Sequence, residues 1–177
     1  MLEEDEWTVP IVTKEGTPLG TISLESFIRR IYENWILKDK LSKTSVEEVM
    51  SSSNLVYVTQ EDTISYTIRK LVKEKFAGLP VVDSKMKCVG ILTQYDILRK
   101  RSSRIALDSE SGPARNAKVK EIMSTPATTV KSDQNLWHLV EIMASTGFGR
   151  IPVTGKHDRL VGIVDRSDIT RFILENM

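Results

Sequence analysis

A single cysteine, Cys88, stands in 177 residues. One thiol excludes an internal disulfide framework and fits a reducing interior. An excess of one sign of charge is equally lacking: the formal net charge of +1 gives no global argument for nucleic acid or a membrane as partner. No apolar run approaches the ~20 residues of a membrane span. The opening Met1-Leu2-Glu3-Glu4-Asp5-Glu6 is acidic, the wrong sign for the first segment of a secretory signal. Together these absences predict a soluble, cytoplasmic protein. The two histidines, His138 and His157, lack metal-ligand spacing. There is no nucleophile elbow, Walker loop, His/Cys cluster or acid pair at useful spacing, so an enzyme is not expected.

What is present is a repeat. Leu79 to Asp96, LPVVDSKMKCVGILTQYD, reads as strand, turn, strand and helix entry. Val81 and Val82 are β-branched, Asp83-Ser84-Lys85 has turn chemistry, and Val89 to Leu92 is a second apolar strand. Thr93 to Asp96 place oxygens and N–H groups where a helix begins, which suits a ribose or a phosphate. The proline-to-glycine separation is ten residues at Pro10/Gly20, Pro80/Gly90 and Pro152/Gly162. A shift of 72 residues relates Pro80 to Pro152 and Asp96 to Asp168. Such periodicity precedes any fold assignment.

In chain order, residues 1–40 read as the back half of a repeat: strands at Val9–Val12 and Leu19–Ile22, then one helix carrying Phe27, Ile28, Ile31, Trp35 and Ile36. Residues 41–102 form a whole β-α-β-β-α repeat. It has a short helical lead at Ser45–Met50, a strand at Leu55–Val58, and a helix capped by Asp62 or Thr63 with Ile64, Ile68, Leu71, Val72 and Phe76 on one face. After the proline and glycine strands, a closing helix runs from about Gln94 to Arg99. Residues 103–117 are a linker, preceded by the basic stretch Arg99–Arg104, which reads as a solvated helix end or as a nucleic-acid arm. Residues 118–177 repeat the pattern: Val119–Met123 matches Val46–Met50, Thr128–Val130 is a strand, and Leu136, Leu139, Val140 and Met143 share a helix face. Repeats of this size bury both sheet faces poorly alone. The expected fold is therefore mixed α/β, two repeats packed sheet to sheet as a pair.

At Met50, Gly78-Leu79-Pro80-Val81-Val82 and Gly90 to Asp96 the chain resembles the cystathionine-β-synthase (CBS) domain family, whose paired repeats form Bateman modules. The resemblance implies two clefts for adenosine-containing ligands such as AMP, ADP, ATP or S-adenosylmethionine, with no cofactor required. It implies that Asp96 accepts hydrogen bonds from the ribose hydroxyls and Thr93 contacts phosphate, with Tyr95 lining the cleft or packing on its neighbour. The adenine would lie against Val56 and Tyr57, its edge read by the backbone of Gly78, Leu79 and Pro80.

In the last repeat Asp168 keeps the ribose position, but Asp165 stands where Thr93 stands. A carboxylate there repels a multiphosphate tail, unless Arg150 or Arg166 offsets it, so an uncharged or cationic tail is favoured. Ala127, Thr128, Gly149, Arg150, Ile151 and Pro152 are the expected walls. In the half-repeat, Ser23 keeps the hydroxyl but Ser26 replaces the carboxylate, so no site is expected. Its apolar surface should pair with a second copy, giving a homodimer or higher oligomer, or with a preceding segment. The structural alternative for Thr93 and Asp96 is that they only cap a helix; for Cys88, that it is a packed small hydrophobe. The reading is a regulatory adenosine-nucleotide sensor, the alternatives a nucleic-acid-binding or purely dimerising protein.

Overall fold

The computed structural model describes residues 8–104 and 117–176. These residues fall into two compact units, one from residues 8–52, 130–153 and 162–176, the other from 53–104, 117–129 and 154–161. The units do not coincide with the sequence repeats, because each repeat's lead is grouped with the body of the other repeat.

The second unit is built on the sheet β3 (Val58–Thr59), β4 (Gly78–Val82) and β5 (Cys88–Thr93), in that spatial order. β4 pairs parallel to β3 and antiparallel to β5. The helices α3 (Ile64–Glu74) and α4 (Gln94–Arg104) follow β3 and β5. Leu71, Leu79, Val81, Leu92 and Ile97 form a core with Val119, Ile122 and Met123, the last three from the lead helix α5 (Val119–Ile122) and its end. Beyond α5, Ile91 and Ser124 exchange both backbone hydrogen bonds, at 3.0 and 2.9 Å, so the lead lies along β5. That approach requires Gly90, where a Cβ would meet Met123 Sδ at 2.8 Å and Ser124 O at 2.9 Å. A smaller cluster of Val82, Cys88 and Leu160 buries the one thiol, and desolvation pushes its pKa up to about 11. Cys88 is thus a packed small hydrophobe.

The strand expected at Leu55–Val58 is shorter and displaced, since only Val58 and Thr59 pair with β4. Continuing that register puts Tyr57 beside Pro80, which has no N–H to offer. The Tyr57 carbonyl instead accepts from Lys70 Nζ at 2.7 Å. A proline is thereby accommodated in a central strand, where it otherwise breaks a ladder. Thr63, not Asp62, caps α3, accepting from the Tyr66 N–H. Asp62 accepts from Thr59 N instead. Val72 lies exposed rather than on the buried face, and α4 runs to Arg104, five residues beyond the expected end of the helix.

The first unit contains the hairpin β1 (Thr8–Val12) and β2 (Pro18–Ser23), then α1 (Leu24–Tyr32) and α2 (Trp35–Lys43). The single helix expected here is broken at Asn34, whose side chain accepts from the N–H groups of Ile36 and Leu37 and starts a new helix. Trp35 and Ile36 consequently face solvent. The rest of this unit is β6 (Val130–Lys131), α6 (Leu136–Thr146), β7 (Arg150–Thr154), β8 (Leu160–Asp165) and α7 (Arg166–Asn176), with β7 central in the sheet; the β7–β8 tip belongs to the second unit. β6 is two residues, displaced from the expected Thr128–Val130. The lead of the middle repeat pairs here through Ser51 and Ile163, and the Met50 side chain fills the space a Gly162 side chain would occupy. α6 packs against α1 and α2, and α7 against α1. Trp137 is accordingly buried beneath Tyr32, ring centroids 5.4 Å apart. This second contact explains why α6 is apolar around more of its circumference than one sheet-facing stripe needs.

Candidate functional site

In the second unit the register sets the geometry. Gly78 opposes Thr93 across β4 and β5, while β3 runs parallel to β4 with Val58 beside Val81. The start of β4, the approach to β3 at Val56 and Tyr57, and the end of β5 with the first turn of α4 therefore gather at one end of the sheet. Val56, Tyr57, Gly78, Leu79, Pro80, Thr93 and Asp96 are brought together there. Gly78 serves close packing within the sheet rather than openness: a Cβ would meet Thr93 Cγ2 at 3.0 Å and Leu92 O at 3.3 Å. Tyr95 is 67% exposed.

Asp96 is half-buried. Its Oδ2 accepts from Thr93 N at 2.9 Å and Thr93 Oγ1 at 2.5 Å, and its Oδ1 accepts from Ser124 Oγ at 2.8 Å. Thr93 Oγ1 in turn accepts from Asp96 N at 3.1 Å. The pair is a reciprocal cap on α4, so the capping alternative describes part of what these residues do. A carboxylate has about four acceptor sites; three donors occupy Asp96, and a ribose diol brings two more. Ser124, on the lead of the last repeat, is the donor that a diol would displace. Ser124 and Lys70 are site neighbours that sequence reasoning missed. Ser124 directly after Met123 was the available signal, but nothing in the chain indicates that this lead reaches the preceding repeat's carboxylate.

The first unit gathers Gly149, Arg150, Ile151, Pro152, Asp165, Arg166 and Asp168, whereas Ala127 and Thr128 fall in the other unit. Asp165 replaces a neutral cap by an acidic one. Its Oδ1 accepts from Ser167 N and Asp168 N at 2.9 and 3.2 Å and from the Ser167 hydroxyl. Its Oδ2 pairs with Arg150 NH2 at 3.1 Å, both side chains less than one-fifth exposed. Of the two arginines expected to offset Asp165, Arg150 does so. Arg166 turns instead to Glu25 and the Gly147 carbonyl.

Asp168 Oδ2 accepts from Asp165 N at 2.9 Å, and Arg171 lies 3.9 Å from Oδ1. Burial, and then the neighbouring Asp165 carboxylate, push Asp168 from 3.8 up to about 6, against the opposing pull of the Asp165 N–H, Arg171 and Arg150. Between about pH 4 and pH 6 the folded chain therefore holds a proton that the unfolded chain has released, and stability falls as pH rises through that window. The contribution is on the order of 3 kcal/mol. Urea unfolding of the parent and of Asp168→Asn at pH 4.5 and pH 7 checks it: the variant should gain on the parent at the higher pH. An unchanged difference would contradict the assignment.

The basic stretch Arg99–Arg104 lies on α4, but the side chains of residues 100–104 are outside the described residues, as are residues 1–7 and 105–116. Among the described residues no group of three His, Cys, Asp or Glu is placed to hold a metal, and no helix is long and apolar enough to cross a membrane.

The CBS domain pattern matches residues 46–103 and 119–175. An uncharacterised protein of Methanocaldococcus jannaschii is 30% identical over 182 residues, covering 99% of this chain and 42% of that one. The chain spans less than half the length of this and two other curated relatives it matches. Among solved structures, another M. jannaschii protein superposes with a TM-score of 0.82 at 24% identity, over 97% of this chain and 61% of its own. CBSX2 in complex with AMP gives 0.65 at 25% identity, over 75% and 97%. The CBS domain pair of protein MJ0100 in complex with 5'-methylthioadenosine and S-adenosyl-L-methionine gives 0.62 at 26% identity, over 76% and 98%. With two matched segments covering most of its length and a mixed α/β fold shared with CBS-pair structures, the chain belongs to the CBS domain family.

Proposed function

We propose that this chain is a non-catalytic, cytoplasmic regulatory module that binds an adenosine nucleotide in the cleft of its second unit. The observation that carries the reading is the Asp96 carboxylate. It is half-buried, oriented by Thr93, and closed by the displaceable hydroxyl of Ser124. A ribose diol takes the acceptor positions on Asp96, and charge-assisted bonds of this kind are the stronger class. The adenine lies toward Val56 and Tyr57, and the first turn of α4 faces the phosphate. Thr93 reaches that phosphate only by turning its hydroxyl from Asp96. The AMP of CBSX2 and the adenosine compounds of the CBS-pair structure support this ligand class.

The output is a shift in packing. A diol on Asp96 releases Ser124, and Ser124 sits on the segment that pairs with Ile91, so ligand occupancy and the position of that lead are linked. The repeats 41–102 and 118–177, joined by 103–117 and preceded by the half-repeat 1–40, supply the two clefts. In the first unit Thr170, 6% exposed, lies on the helix that α1 covers; its counterpart in the second unit, Leu98, is 69% exposed. The exposure of Leu98, and of Val72 and Tyr95, supports association with a second copy.

Thermal melting of the chain with AMP, ADP, ATP and S-adenosylmethionine at millimolar concentration tests the ligand class. Ligand at a hundredfold its Kd stabilises by about 2.7 kcal/mol, which should raise Tm by several degrees. No shift with any of the four would defeat the proposal.

A further inference from the structure

Arg166 opens α7 immediately after Asp165, yet its guanidinium is held by α1 and the end of α6. NH2 donates to Glu25 Oε2 of α1 at 3.3 Å and to the Gly147 carbonyl at the end of α6. The side chain is 14% exposed. It lies about one van der Waals contact from Gly149: a Cβ there would meet Arg166 Cζ and NH1 at 3.7 Å. Its Nε is buried without a hydrogen-bond partner among the described residues, so the group retains donor capacity where it sits. The nearer cation, Arg150, is committed to Asp165.

The corresponding first residue of α4 is Gln94, which makes the same kind of contact, donating to the Phe76 carbonyl at 3.2 Å. Clamping the preceding turn therefore does not require a cation at this position, and an arginine carries a charge that the clamp leaves unused. Glu25 supplies the counter-charge, while its other oxygen accepts from Arg29 at 3.1 Å.

We propose that Glu25 is a positioning residue that sets the ligand class of the first unit's cleft: by holding Arg166 against α6 it leaves that cleft to adenosine ligands with an uncharged or cationic tail and against those with a phosphate. The proposal rests on the reading that the CBS clefts bind adenosine compounds. Releasing Arg166 would place a second cation beside the Arg150–Asp165 pair and reverse the preference. Helix α1, outside the two matched repeats, thus selects what the last repeat binds.

Calorimetric titration of the full chain carrying Asp96→Ala, which silences the other cleft, with adenosine and with AMP is the test. Adenosine should bind more tightly than AMP. Adding Glu25→Gln should improve AMP relative to adenosine by about fivefold, the scale of one partly exposed ion pair. Adding Arg166→Gln to that chain should cancel the gain, which a merely structural role for Glu25 would not produce. Should Glu25→Gln fail to fold, Glu25→Asp, which retracts the carboxylate, should show a smaller gain of the same sign. An unmoved AMP-to-adenosine ratio, or a gain that survives loss of Arg166, overturns the proposal while leaving the cleft. Binding of neither ligand to the Asp96→Ala chain removes the cleft reading itself, and the proposal with it.

Discussion

Replacing Asp96 by alanine is expected to weaken AMP binding by about a hundredfold, the effect of losing two charge-assisted hydrogen bonds to the ribose. The same change removes the Asp96 half of the reciprocal cap on α4, leaving the bond from the residue 96 N–H to Thr93 Oγ1, and should cost about 1 kcal/mol of stability. Those two effects need separating, because the bonds from Thr93 and Ser124 show that Asp96 is a structural residue whatever it binds. Thr63→Ala provides the control. Thr63 caps α3 through the Tyr66 N–H, so its loss should lower stability by a similar amount and leave AMP affinity within about twofold of the parent. Calorimetry on the three chains resolves the matter. If Asp96→Ala and Thr63→Ala weaken AMP equally, the carboxylate is a cap and nothing more.

Gly90→Val should be the most damaging single substitution in the glycine strands, at about 2–3 kcal/mol, the usual range for overpacking. In a chain of this size that corresponds to a fall in Tm of about 5–10 °C. The reason is the backbone oxygen of Ser124, 2.9 Å from where the new Cβ would lie. It cannot retreat without breaking the paired hydrogen bonds between Ile91 and Ser124. At Gly162 the neighbouring atoms all belong to the Met50 side chain, and an unbranched thioether can repack. Gly162→Val should therefore cost distinctly less. Equal losses would show that the two leads are not held as described. Because Ser124 also touches Asp96, Gly90→Val should weaken AMP binding beyond its effect on stability, whereas Gly162→Val should not.

Much of this architecture is legible in the chain. Helix α6 occupies the positions of α3 displaced by 72 residues, as Pro152 and Asp168 follow Pro80 and Asp96. Local signals carried that far, because turn residues, caps and apolar period act over a few neighbours. The break at Asn34 was also available as a cap signal, but the apolar spacing through Trp35 and Ile36 outweighed it; both side chains prove to be solvent-facing. The contacts that matter most for the site were not available, since they join distant segments. The sequence contains Met50, Met123 and the glycines, but not the exchange that puts Met123 on Gly90 and Met50 on Gly162. It contains Arg166 beside Asp165, but not the contact by which Glu25, 141 residues away, takes its guanidinium. Pairing across such separations is decided by packing, on which local propensity is silent.

On binding AMP, the Asp96 carboxylate is expected to exchange the Ser124 hydroxyl for the ribose diol. A crystal structure of the chain with AMP tests it most directly. Both ribose hydroxyls should lie within hydrogen-bonding distance of Asp96, the base beside Val56 and Tyr57, and Ser124 Oγ withdrawn from Oδ1. AMP bound elsewhere, with Asp96 still closed by Thr93 and Ser124, would contradict it.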